Sequence, residues 1–209
     1  MSAACRLNID INAWAVDLGS NRHEAIAAAR RALGVCESEP GILANVAFVL
    51  AYFGEDIGAM VALVERAVTS NPSYARGWYL GGMIRLWAGE PDHAVEDIEK
   101  SIRLNPRYRL GHHTFLIGTA HFFGRRFEQA AASLLLAAQE NPAFPSTYRF
   151  LASSYAHLGR LRDAEEAVAR LRTVTTAVMP TSVEQYRNPE YRELYMSGLR
   201  LALAAGEAT

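Results

Sequence analysis

The residues of this chain that could do chemistry are six histidines, two cysteines, paired serines, paired glycines and a short run of acids. His112 and His113 adjoin, so on a helix they point about 100° apart. His121 follows eight residues after His113, with no His-x₃-His pair or acidic partner beside it. A metal centre needs ligands that converge, and none is expected here. Gly81-Gly82 lacks the G-x₄-G-K-[ST] frame of a phosphate loop. Ser153-Ser154 follow no strand-turn-helix elbow, so a serine hydrolase is not supported. Asp92, Glu96, Asp97 and Glu99 read as helix-surface acids beside Lys100 and Arg103. Cys5 and Cys36 are too few for a disulfide framework and are expected as unpaired thiols of a reducing compartment. No enzyme and no cofactor emerge.

The bulk properties narrow the partners. A formal net charge of −1 gives no electrostatic reason to expect nucleic acid or an anionic membrane surface. The longest stretches free of charged residues, Pro40–Gly54 and Leu110–Gly124, run 15 residues each, short of the ~20 needed to span a bilayer. MSAACRLNID shows no basic region followed by an apolar run. A soluble cytoplasmic protein is the expectation.

What the sequence does carry is periodicity. Pro72, Pro106 and Pro142 each follow an asparagine, at spacings of 34 and 36 residues. Twelve residues before Pro106 and Pro142 stand Ala94 and Ala130, with Met60 at the same place before Pro72. Five before come Ala67, Ser101 and Ala137; twenty-four before come Phe48, Gly82 and Gly118. Small residues recur where two helices of a hairpin approach closely. Phe48 and Met60 break the rule, so that hairpin is expected to pack more widely. Gly19, Gly54, Gly89, Gly124 and Gly159 recur every 35 residues and are expected in the left-handed turn between the helices of each hairpin. A degraded first copy holds Trp14, Ala25 and Ala32, with helices expected near Asn8–Leu18 and Arg22–Leu33. No alternating stretch of strand length is present, so the fold is expected to be all-α. After Asn188-Pro189, the segment PEYRELYMSGLRLALAAG is amphipathic, with Tyr191, Leu194, Tyr195, Leu199 and Ala202 toward one side. A helix that covers the apolar end of a stack is what solubility requires.

Trp78-x₂-Gly81-Gly82-x₂-Arg85, Ala94-x₃-Ile98 and Pro106, with Tyr148-x₂-Leu151-Ala152-x₂-Tyr155 in a later copy, resemble the W-x₂-L-G-x₂-Y…A-x₃-F…P pattern of tetratricopeptide repeats. The resemblance covers about 170 residues. It implies a right-handed α-solenoid of about five helix hairpins, spanning 1–180, followed by a C-terminal capping helix and tail over 181–209. GWYLGGMIRLWAGEPDHAVEDIEKSIRLNP and RNPEYRELYMSGLRLA also resemble the C-terminal repeat region of bacterial class III adenylate/guanylate cyclases. That likeness implies a bacterial, non-catalytic module of a signalling protein; the family's catalytic domain would lie upstream, so no catalytic residue is carried over.

In tetratricopeptide-repeat proteins the first helix of each hairpin lines a concave groove. The resemblance places in that groove Ile42, Asn45, Val49 and Tyr52 of one copy and Arg76, Tyr79, Met83 and Leu86 of the next. His112, Phe115, Thr119 and Phe122 follow, then Ser146, Arg149, Ser153 and Ala156. Trp87 and Phe123 stand one place further on. Aromatic and arginine side chains dominate interface energies, so a protein or peptide partner, with a hydrophobic segment or helix as ligand, is the expectation. The face has no lysine, which disfavours the carboxylate clamp of the chaperone-binding members. Two alternatives stay open: self-association as a homodimer, and rings that pack between helices or are covered by the chain's own N-terminal segment.

Overall fold

The computed structural model describes residues 18–35, 38–107, 112–180 and 182–205. Cys5, Cys36, Trp14 and the helix expected from Asn8 lie outside the described residues, Leu18 excepted. Among those described there are helices and no strand. In chain order they are α1 (Leu18–Val35), α2 (Pro40–Tyr52), α3 (Ile57–Ser70), α4 (Ala75–Ala88), α5 (Pro91–Leu104), α6 (His112–Phe123), α7 (Phe127–Glu140), α8 (Pro145–His157), α9 (Leu161–Val174) and α10 (Pro189–Ala205). Helices α2 to α9 form four successive hairpins, and each first helix also packs on the second helix of the hairpin before it. α1 lies against α2, and α10 against α8 and α9.

The Asn-Pro dipeptides end the second helices. The N–H groups of Asn71, Asn105 and Asn141 reach back to the carbonyls of Ala67, Ser101 and Ala137, and the prolines that follow cannot continue a helix. Pro40, Pro91 and Pro145 begin α2, α5 and α8, where the missing N–H costs nothing. Trp78 Nε1 and Tyr148 Oη hold equivalent places in their copies, and each donates to the carbonyl of the proline six residues earlier, at 2.9 and 3.0 Å. The copy between them has Thr114 at that place and an entering turn two residues longer.

The small residues do mark close approach. A Cβ added to Gly82 would stand 2.5 Å from Ile98 Cδ1 and 3.0 Å from the Ala94 carbonyl; one on Gly118 would stand 2.7 Å from Leu134 Cγ. Phe48, in the copy without a glycine there, lays its ring on Trp87 of α4, with centroids 5.3 Å apart.

Two glycine turns differ from the expectation. Gly54, Gly89 and Gly159 have positive φ, but at the fourth turn Arg125 (φ 57°) takes the left-handed place instead of Gly124. α6 runs to Phe123 and Gly124 N still donates to Ala120 in helical register, which moves the reversal one residue on. Gly19 lies inside the first turn of α1, where N–H groups have no intrahelical partner and a glycine interrupts little.

Between hairpins, Arg85 of α4 gathers three carboxylates: Asp97 at 3.0 Å, Glu90 at 2.5 Å and Glu65 at 2.5 Å. It ties α3, α4 and α5 together. Burial pushes the Asp97 carboxyl up to about 6, against the opposing pull of Arg85. A carboxyl whose folded value is raised contributes stability that is fully present below its unfolded value near 4, and loses it as pH rises through 6. Asp97→Asn should escape that loss. Urea unfolding of variant and parent between pH 4 and pH 7 should show the difference move in favour of Asp97→Asn by on the order of 1–2 kcal/mol, after discounting for solvent screening at a partly exposed group. A difference that is flat with pH would contradict it.

Candidate interaction face

The first helices α2, α4, α6 and α8 carry the places expected in the groove, and the structure divides those places in two. Val49, Leu86, Thr119 and Phe122 are fully or almost fully buried, and Phe115 is buried too. They are corrected from ligand-facing positions to packing positions. Phe122 stands among Phe127, Phe150 and Tyr195 at 5.3–6.3 Å, while Phe115 meets Phe144 and Phe150 at 5.0 and 5.9 Å. Thr119 Oγ1 donates to the carbonyl of Phe115 in its own helix. Trp87 and Phe123 are buried as well. Asn45, Tyr52, Arg76, Tyr79, Met83, His112 and Arg149 keep part of their surface.

Much of what covers the face comes from the C-terminal segment; the N-terminal segment lies outside the described residues. Arg149 donates from Nε to the carbonyl of Val178 at 2.8 Å and from Nη2 to that of Ala177 at 2.5 Å. Beyond Ser182 the chain brings Tyr186 into the aromatic cluster, 4.8 Å from Phe123, where burial raises its phenol well above the usual range. Arg187 N then donates to the Trp87 carbonyl at 2.8 Å, and its Nη2 reaches the carbonyl of Ala51 at the end of α2. α10 returns across the stack. Tyr191 stacks on Phe123 (4.6 Å, 6°), and Tyr195 stacks on Phe150 (4.1 Å, 7°). His157 Nε2 donates to the Leu194 carbonyl at 2.8 Å, which puts its proton on Nε2, and Ser153 Oγ donates to the Tyr195 carbonyl.

The other part of the face is more open. Arg76 Nη2 donates to Asn45 Oδ1 at 3.3 Å across α2 and α4. Beside it, Ala75, Arg76, Tyr79, Ser101 and Asn105 line a small depression of about 140 Å³. Tyr79 lies 4.8 Å from the His113 ring, and His113 Nε2 is 3.2 Å from Ser101 Oγ. Burial lowers both His112 and His113 below the ordinary histidine value, so both are neutral at pH 7. No group of three or more possible metal ligands occurs among the described residues, and none of their helices is long and apolar enough to cross a membrane.

Phe150 and Tyr186, absent from the expected groove, prove to be the aromatic link between the stack and the C-terminal segment. Phe150 follows Arg149 by one residue, so the groove places that the resemblance implies pass over it. Tyr186 lies outside the repeats altogether, and no periodic signal could have found it.

No family model matches the chain, and no curated protein matches it. Solved structures do. TTC0263, a thermophilic TPR protein of Thermus thermophilus, is 20% identical with a TM-score of 0.63, over 95% of this chain and 100% of that one. MamA residues 41 to the end from Desulfovibrio magneticus RS-1 is 16% identical with a TM-score of 0.62, over 82% and 94%. YrrB, a TPR protein described as having an unusual peptide-binding site, is 18% identical with a TM-score of 0.56, over 85% and 92%. At these identities the likeness is one of fold: the chain is a tetratricopeptide-repeat-like helical solenoid.

Proposed function

We propose that this protein is an interaction scaffold that binds an extended peptide on the first-helix face, over the part formed by Asn45, Arg76, Tyr79 and His112. The observation that carries the reading is the way the same face already holds an extended stretch of its own chain. Arg149 grips two consecutive backbone carbonyls of the C-terminal segment, and further along the ring of Phe123 packs against Tyr186 and Tyr191 of that segment. Arg76 and Tyr79 repeat that pairing of guanidinium and ring where the segment leaves the face open, with Asn45 beside them. YrrB, of like fold, is described as a peptide binder, which agrees with this use of the architecture.

The test is capture from lysate with the wild type beside an Arg76→Glu/Tyr79→Ala variant whose helicity and melting are checked first. Wild type should retain a specific protein that the variant binds at least tenfold less. Equal capture by both would overturn the assignment.

A second reading is self-association, as the regulatory part of a cyclase-like signalling protein. Leu135 and Leu136, adjacent on α7 and about half exposed, favour the self-association; the signalling role rests on the sequence resemblance alone. Capture of only the protein's own copies, with a mass by light scattering that rises with concentration, would move the assignment there.

A further inference from the structure

At the end of α2 lies a cleft of about 440 Å³ that the peptide reading does not use. Its walls come from three distant parts of the chain: Arg22 of α1, Tyr52 to Gly54 at the α2 end, and Ser182, Glu184, Gln185 and Arg187 of the C-terminal segment. Arg22 Nη2 donates to the Phe53 carbonyl at 2.6 Å, and Arg187 Nη2 to the Ala51 carbonyl two residues earlier. The two Nη2 atoms lie 3.2 and 3.9 Å from the same point, the place of a Cβ on Gly54. They are therefore no more than about 7 Å apart, the two distances end to end. Among the described residues neither guanidinium has a carboxylate within ion-pair distance; Glu184, which also lines the cleft, pairs at 3.5 Å with Arg192 instead. Burial, and after it the neighbouring charges of Arg192 and Arg22, hold Arg187 below its ordinary value against the pull of Glu184.

Two like charges drawn together and partly desolvated are costly unless something negative is shared between them. The α2 carbonyls supply part of that, as the negative end of a helix dipole. Each guanidinium has five N–H donors, and the bonds above, with Arg187 Nη1 to the Glu184 carbonyl at 2.7 Å, use only one on Arg22 and two on Arg187. The remaining donors belong to residues that line the cleft. Guanidinium groups recognise planar and tetrahedral oxyanions through paired N–H bonds.

The geometry assigns this cleft as a binding site for a small oxyanion, a carboxylate or phosphate group held between Arg22 and Arg187. The site is independent of whether the first-helix face binds a peptide. Because its walls include the C-terminal segment, anion binding clamps that segment onto α1 and α2.

The test uses the full chain at constant ionic strength maintained with sodium chloride, titrated in one arm with inorganic phosphate and in another with benzoate. The readouts are the arginine Nε–Hε NMR signals and the melting temperature. At least one arm should give saturable shifts of the Arg22 and Arg187 signals together with a rise in melting temperature; which arm does so tells phosphate from carboxylate. Arg22→Gln should weaken binding at least tenfold. Ser182→Asp keeps an acceptor for Glu184 N, which now bonds Ser182 Oγ at 3.3 Å, and places a carboxylate at the cleft. It should raise the melting temperature at low salt and also weaken added anions at least tenfold. Should Arg22→Gln fail to fold, Ser182→Asp decides alone. Signals that do not move in either arm, or that respond equally in Ser182→Asp, would show that the two arginines only cap the α2 carbonyls.

Discussion

Phe150→Ala should lower the free energy of unfolding by about 3–5 kcal/mol, the range for removing a fully buried phenylalanine. Phe150 is 1% exposed and is the ring on which the solenoid and the C-terminal segment meet. Tyr195 stacks on it at 4.1 Å, Tyr186 stands 6.2 Å away, and Phe122 and Phe123 close the other side at 5.3 and 5.7 Å. Truncation would leave a cavity among α6, α8 and α10 that helices fixed by their own hairpins cannot collapse to fill. Urea unfolding by linear extrapolation measures the loss. A double-mutant cycle with Tyr195→Ala sharpens it, because an aromatic pair adds about 0.5–1.5 kcal/mol beyond burial. A coupling of that size would place the segment on the face in solution. Coupling near zero, or a Phe150→Ala loss below about 1 kcal/mol, would mean that the segment does not sit in this register, and the covered part of the face would then be open to a ligand.

The same contacts show which features the sequence could convey. The hairpins were legible because each depends on neighbours in the chain. Gly82 must admit Ile98 only 16 residues later, and Asn105 must end a helix at the next proline. Periodicity records such local demands faithfully. It could also name the inner face of each first helix, but not which places on that face stay open. Val49 and Thr119 have the same register as Met83, and Leu86 and Phe122 the same as Tyr52; burial separates them because neighbouring first helices and α10 press on the buried ones. The amphipathic pattern after Pro189 marked the helix that covers the stack, but the stretch leading to it had no signature. Arg187 meets Ala51 across 136 residues, through backbone carbonyls that any sequence possesses. At the fourth turn the 35-residue glycine rhythm pointed to Gly124, yet Arg125 took the left-handed place, since the exact end of a helix is settled by packing that spacing does not record.

Gly82→Leu should cost about 3 kcal/mol or more, and it tests whether the small residues of the repeat act through space or through chain flexibility. A Cβ at Gly82 meets Ile98 Cδ1 at 2.5 Å, Ile98 Cγ1 at 2.7 Å and the Ala94 carbonyl at 3.0 Å. Ile98 is fully buried and cannot swing aside, and the carbonyl belongs to the α5 backbone. Overpacking of this kind costs about 1–3 kcal/mol for modest insertions, and leucine adds three carbons beyond the first clash. Even Gly82→Ala should lose on balance about 1–2 kcal/mol, although alanine gains about 1 kcal/mol over glycine in a helix interior. Gly34 is the control. It lies in α1, and a Cβ there meets nothing within 4 Å, so Gly34→Ala should stabilise by up to about 1 kcal/mol. Opposite signs for the two alanine variants in chemical unfolding would establish that Gly82 is small so that α4 can lie against α5. If both stabilised, the hairpins would have slack, and the positions of Arg76 and Tyr79 on α4, on which the proposed peptide binding rests, would not be held by that contact.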